Sequence, residues 1–444
     1  MTMKKRWRKL ISVLVSGTMI LTLAACGGGE SSENTQADNG EGKKVIKFFH
    51  RFPDEPYNTF IEEKIAEYEE NHPDIDIEIM SAQNDPYKEK IKVLVGSEDC
   101  PDIFFSWPGE FSERFIREDL VLDMTPYFEE DPEWKDSLLE SQMAQYTTSD
   151  GMIYGIPFRL DAKIWFYNKD IFEECGISEL PTTWEEFLDV CETIKSKGYI
   201  PIAYGNVDKW PASLLIGALN LMTVSDEVRD QDYTPQTAEF TDPGYVEAME
   251  YYQELIPYFT EGAQGTTWDI ARNGFSQGKA AMFYPEVVEI PYILAENPDI
   301  NMGMFSFPVI EGEGDPSILP GSPEGFLVSS KTEYPDECME FLKWFLGPEV
   351  GAEMAKEVNW FNASKEAVNG IEDPMLKDAY NVIAQAESMS PWFDNVLYST
   401  VKEEYYTQLS DLTNGDVTPQ EAMEKIQEVV KESKSLIGEE ESSE

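Results

Sequence analysis

The chain is poor in histidine and cysteine, with 2 and 5 among 444 residues. His50 and His72 leave little from which to build a zinc site or a Ser-His-Asp arrangement, no two cysteines form a CxxC pair, and neither HExxH nor GxSxG occurs. No metal, no cofactor and no catalysis are therefore expected. Cations are scarce as well: 34 Lys and Arg stand against 85 Asp and Glu, a formal charge of −51. A field of that sign repels nucleic acid and anionic headgroups, and argues less strongly against polyanionic substrates. Acids are so abundant that some pair always stands near the separation a glycoside hydrolase uses, so their number is no evidence for that chemistry. No apolar run reaches the roughly 20 residues that span a bilayer.

What is present is a chain that is 41% apolar and 12% aromatic, too long for one ordinary core. Two lobes of roughly 150 to 200 residues are expected. At the start, Lys4, Lys5, Arg6, Arg8 and Lys9 precede the apolar "LISVLVSGTMILTLAA", the layout of a signal peptide over residues 1–25. Leu23, Ala24, Ala25 and Cys26 resemble the lipobox of bacterial lipoproteins, which implies cleavage before Cys26 and its lipidation. An ordinary signal peptide cut nearby is the alternative. Residues 26–43, rich in Gly, Ser, Glu and Asn, read as a flexible tether, and 437–444 as an acidic tail. In "ECMEFLKWFL", Cys338, Phe341, Leu342 and Phe345 share a helical stripe, and Cys191 is placed similarly between Phe187 and Ile194. A disulfide among Cys100, Cys175, Cys191 and Cys338 stays open.

From Lys44 short β-rich runs alternate with helical patterns. "KVIKFF", "DIDIEIM" and "PDIFFSW" read as strands, separated by the helical "NTFIEEKIAEYEE", with a Thr59/Glu62 capping box, and "YKEKIKVLVGS". This rhythm predicts mostly parallel sheets wrapped by helices. "TTWEEFLDVCETIKSKG" opens with a Thr183/Glu186 capping box and ends at Gly198, and "TPQEAMEKIQEVVKE" opens at Thr418 and Pro419. "DLTNGD" lacks the alternating ligands of a calcium loop and reads as a helix-ending turn.

One ordered set of motifs carries a resemblance. It comprises Tyr154-Gly155-Ile156-Pro157, Tyr167-Asn168-Lys169-Asp170, Phe172 with Gly176-Ile177, Pro181-Thr182-Thr183-Trp184-Glu185-Glu186-Phe187 and Gly198-Tyr199-Ile200-Pro201-Ile202-Ala203. "PDIFF" at 101–105, "FSQGKAAM" at 275–282 and "FLKWFLGPEVGAEMAK" at 341–356 complete it. In this order they resemble the extracellular solute-binding proteins of carbohydrate ABC transporters, the group that includes maltose-binding protein. The resemblance implies an α/β fold of the two-lobed periplasmic-binding-protein type (type II), with ligand in the interlobe cleft. Lobe one would take 44–159 and 307–354, and lobe two 160–306 and 355–436. The implied partners are a carbohydrate and the transmembrane permease subunits of an importer, served by a monomer tethered through lipid to the outer face of a bacterial membrane. A peptide or polyamine ligand is the alternative, and a surface glycoside hydrolase a more distant one.

A neutral glycan needs polar side chains for its hydroxyl edges and aromatic rings for its C–H faces, and open α/β sheets offer both in loops at the carboxyl ends of strands. After the first strand come His50, Arg51, Asp54 and Tyr57, and after the third Trp107 and Glu110. A strand-end Trp107 equally suits a core cap. "IPFRLDAK" supplies Arg159 and Asp161, for ligand contact or a hinge ion pair. "NVDKWP" combines Asn206, Asp208 and Trp210 beside a helix start, the strongest pattern. Trp268 suits either ligand or helix packing. Tyr284 and Glu286 stand where relatives often carry an aromatic contact, but "YPEVV" departs from the family's Gly-x-Trp. Glu324 suits the cleft or a solvated loop. From the C-terminal part Trp360, Trp392, Phe393 and Asp394 are candidates, with Trp392 preferred of the two tryptophans.

Overall fold

In the computed structural model, residues 43–441 are described. Signal peptide, Cys26 and nearly all of the expected tether lie outside them, as do 442–444. Among the described residues eleven strands form: β1 Lys44–His50, β2 Ile75–Ser81, β3 Ile103–Ser106, β4 Ile156–Arg159, β5 Trp165–Asn168, β6 Ile200–Ala203, β7 Ala280–Phe283, β8 Met302–Phe305, β9 Leu319–Pro320, β10 Glu324–Val328 and β11 Met389–Ser390. The alternating isoleucines of β2 lie beside β1 in parallel register, from Lys44 opposite Ile75 to His50 opposite Ser81.

Two larger sheets result, with orders β2-β1-β3-β10-β4 and β6-β7-β5-β8. Each is mainly parallel with one reversed strand. In the first, β10 runs against β3 and β4, and in the second β5 runs against β7 and β8. Both reversed strands follow a crossing between sheets, since the chain passes from β4 to β5 through 160–164 and returns from β8 to β10 through 306–323.

A third crossing corrects the expected lobe boundary. Trp360 stacks on Tyr57 with ring centroids 4.0 Å apart, and Leu160 N–H donates to the Phe361 carbonyl at 2.7 Å. Leu139 and Lys365 exchange backbone bonds with Ala363 and Ser137. Residues 358–371, expected with lobe two, are thereby fastened to the first sheet's helices. The chain leaves that lobe only at Trp392, because Phe393 packs on Phe240 and Tyr405 of the second core.

The caps at Thr183/Glu186 and Thr418/Glu421 form. The Thr59/Glu62 box does not, because the helix Tyr57–Asn71 starts two residues earlier and Asn58 bonds Glu62 instead. Asn168 caps Lys169–Cys175 and the left-handed Gly176 ends it, which explains two signature residues as local structure. The helix Pro419–Glu441 runs into the expected tail. Cys100, Cys175, Cys191 and Cys338 are all free thiols, and Cys175, Cys191 and Cys338 are buried.

Candidate functional site

Loops at the carboxyl ends of the strands meet around a cavity of about 520 Å³ between the sheets. From the first lobe come Arg51, Phe52, Asp54, Tyr57 and Trp107, with Glu324 at the start of β10. The first crossing brings Arg159 and Asp161, and the second lobe brings Trp210, Asp269, Arg272, Glu286, Glu289 and Tyr292. Trp392, Asp394 and Asn395 enter from the third crossing. The lobes touch where Tyr57 meets Tyr292, ring centroids 5.8 Å apart.

Three charge networks line this space. In the first, Glu324 is gripped by Arg51 and by Arg159, whose Nε donates to Oε2 at 2.8 Å, and it also accepts from Trp107 Nε1 at 3.1 Å. Burial pushes the Glu324 carboxyl up, but the two guanidiniums outweigh it and hold it below the usual glutamate value. Arg159 lies over Trp360 at 4.5 Å and Arg51 over Phe52 at 4.6 Å, so aromatic faces support both cations. In the second network Lys163 Nζ stands 3.4 Å from Glu286 and donates to the Tyr284 carbonyl at 2.9 Å. Beside it burial, reinforced by the Glu286 charge, raises the Asp161 carboxyl well above its ordinary value. In the third, Arg272 joins Glu289 at 2.8 Å and Asp269 at 2.9 Å, while Trp268 Nε1 donates to Glu289 at 3.2 Å.

The bacterial extracellular solute-binding protein family model matches residues 53–352. The chain belongs to that family. This solute-binding protein is 24% identical to the galactooligosaccharide-binding protein of Bacillus subtilis, over 96% of its own length and 97% of the relative's. It is 23% identical to the multiple sugar-binding protein of Streptococcus mutans, over 76% and 79%. A solved structure from work on xylan utilisation by Caldanaerobius polysaccharolyticus superposes with a TM-score of 0.76 at 27% identity, over 86% of this chain and 99% of that one.

Of the residues the sequence singled out in this solute-binding protein, Arg51, Asp54, Trp107, Arg159, Trp210, Glu286, Glu324, Trp392 and Asp394 line the cleft together. The others do not. His50 is fully buried and accepts from Phe52 N–H through Nδ1, and burial lowers its pKa to about 4. Asn206 is buried as a scaffold, its Oδ1 accepting from Ala212 N–H and its amide donating to Gln264, while Asp208 is exposed to solvent. Trp268 lies beneath Trp210, ring centroids 4.8 Å apart. Tyr284 is stacked on Trp165, and Trp360 is locked between Tyr57 and Arg159. Glu110 lies beyond the cleft, clamped bidentately by Arg117.

The two readings of Trp107 merge: it borders the cleft, yet Arg51 and Lys88 sit 5.4 and 5.0 Å from its ring and its N–H is taken by Glu324. The Arg159–Asp161 hinge pair is replaced by Arg159–Glu324. Asp269, Arg272, Glu289 and Tyr292 escaped the sequence reading. The i,i+3 spacing of Asp269 and Arg272 was the available signal, hidden beside the more conspicuous Trp268. Gly205 is required just before the Trp210 loop, because a Cβ there would lie 2.4 Å from the Thr267 carbonyl oxygen.

Proposed function

We propose that this receptor captures a neutral oligosaccharide in the interlobe cleft and delivers it, as a monomer, to the transmembrane subunits of an ABC importer. The observation that carries the reading is charge compensation within a polar cleft walled by aromatics. Glu324, Glu286, Glu289 and Asp269 each have a cation of the protein itself beside them. Such groups offer directional hydrogen bonds without demanding a counter-ion, which suits sugar hydroxyls. A polyamine or basic peptide would have to rely on Asp54, Asp161 and Asp394, which form no ion pair among the described residues. But Asp54 bonds Gln83, Asp394 accepts from Tyr406 and burial disfavours the Asp161 charge, so a cationic ligand fits less well. Trp210, Trp392 and Tyr292 supply faces for pyranose C–H surfaces. The sugars in the relatives' names support the same class, and the family's receptor role argues against hydrolysis.

Ligand bridging both walls favours the closed arrangement of lobes and shifts the population toward it. Calorimetric titration with galacto-, xylo- and chito-oligosaccharides is expected to find one series that binds at micromolar affinity or better, with each sugar recovered uncleaved. Silence across the panel, together with binding of a polyamine, would reverse the reading.

A lipid on Cys26 would hold the receptor at the outer face of the cytoplasmic membrane, beside its importer. A single acyl chain anchors only marginally, so several chains are implied. Cys26→Ser is expected to move the protein from the membrane fraction to the medium with unchanged sugar affinity, as fractionation and calorimetry would report.

A further inference from the structure

The cleft does not end at Asp394. A second chamber of about 500 Å³ shares Lys88, Asp394 and Asn395 with it and continues between the helix Glu110–Arg117 of the first lobe and the segment from Asn395 to Tyr406 of the second. In a chain with far more acids than bases, the chamber gathers Lys88, Lys92, Arg114, Arg117 and Lys402, against the acids Glu110, Glu118 and Asp394. Glu110 is committed to Arg117, and Asp394 accepts from the Tyr406 hydroxyl at 2.9 Å.

Arg114 is the centre of this arrangement. Its guanidinium lies 4.6 Å from the rings of both Phe111 and Phe115. Its Nε and Nη2 are shielded from solvent and have no hydrogen-bond partner among the described residues. Burial disfavours the charge, and Glu110 and Glu118 offset that only in part, so the side chain's pKa falls below the ordinary arginine value. Arg114 lines a cavity continuous with the ligand cleft and forms no ion pair among the described residues, so the part of its guanidinium left open to the chamber, Nε and Nη2 being closed off, is short of an anion.

We propose that this chamber is a subsite for a carboxylate-bearing sugar, so that the oligosaccharide carries one uronic acid on the unit projecting past Asp394. The inference rests on the oligosaccharide reading of the main cleft. It is compatible with the chain's overall charge, because a single carboxylate answered by Arg114 and Lys402 gains locally what a polyanion would lose to the wider field.

The test uses matched pairs: each oligosaccharide of the panel and its counterpart with one terminal uronic acid, made by oxidation at C6 in the galacto- and chito-series and by adding a glucuronosyl unit in the xylo-series, whose pentoses have no C6. The expected result is that the acidic partner of the binding series binds at least about tenfold more tightly, with a preference that shrinks in high salt. Arg114→Gln and Lys402→Gln should each remove most of that preference while leaving the neutral oligosaccharide's affinity unchanged. Lys402→Gln guards against a packing defect in the Arg114 variant. Equal affinity for the two partners, or a preference that survives both substitutions, overturns the subsite and leaves the cleft reading standing. Failure of every neutral and acidic sugar to bind overturns both.

Discussion

Glu324→Gln is expected to lower the unfolding free energy by about 3–5 kcal/mol, the cost of leaving a buried charge without its partner. The amide keeps the shape of the side chain but not its charge. Arg51 and Arg159 then stand beneath the cleft without their shared carboxylate, left to the rings of Phe52, Phe105, Trp107 and Trp360 and to the neighbouring Asp161. Chemical denaturation at neutral pH measures the loss, and a change below about 1 kcal/mol would show the pair to be solvated like a surface ion pair. The pH dependence has a definite sign. Glu324 titrates below the ordinary glutamate value in the fold, so its stabilisation is complete above that value and disappears as pH falls through the lowered one. The variant should lack this part of the acid-side slope, and the two proteins should converge at low pH.

Trp210→Ala is expected to weaken oligosaccharide binding by roughly 30-fold or more, the loss of about 2 kcal/mol typical of an aromatic at the centre of a contact. The fold should survive. Trp210 is only half-buried, and Trp268 beneath it stays fixed by its bond to Glu289 and its packing on Phe283. Trp210→Phe retains a face for stacking and should recover most of the affinity. Calorimetry on the three proteins decides the matter, and equal affinities would remove Trp210 from the contact. Near-ultraviolet circular dichroism provides the structural control.

The loops after β1 and β3, and the stretch from Asn206 to Trp210, were found from sequence because strand ends and turn residues are local signals. Their neighbours Asp269, Arg272, Glu289 and Tyr292 were not, because two helices and the one-turn segment between them bring these residues to the cleft through packing on the second sheet. Within "NVDKWP" the residue types were right and two roles were not. Asn206 bonds the backbone of the helix start, as asparagine side chains near helix termini and turns do. The lobe boundary failed for a different reason. Residues 358–371 carry no periodic stripe that names a partner, and what fixes them is Trp360 fitting between Tyr57 and Arg159, positions about three hundred and two hundred residues away in the chain. The parallel rhythm of the first three strands, by contrast, was legible because each strand and helix declares its own period. Trp184 shows the limit of motif reading from the other side: it belongs to the family signature, yet its indole donates to Glu254 at 2.7 Å and packs within the second lobe, away from the cleft.

The three crossings, at 160–164, 306–323 and the Trp392–Phe393 step, constrain motion as pins constrain a door. One tether would leave a lobe free to swivel, and two would still permit twisting about the line between them. Rotation stays easy only about a line that passes near all three, so three tethers select one opening motion and oppose the rest. Because the third pin carries Trp392 on one side and Phe393 on the other, a ligand resting on that tryptophan also presses on the axis about which the lobes turn. Cutting the chain within 306–323 would therefore leave two lobes still joined and still turning about the remaining pair.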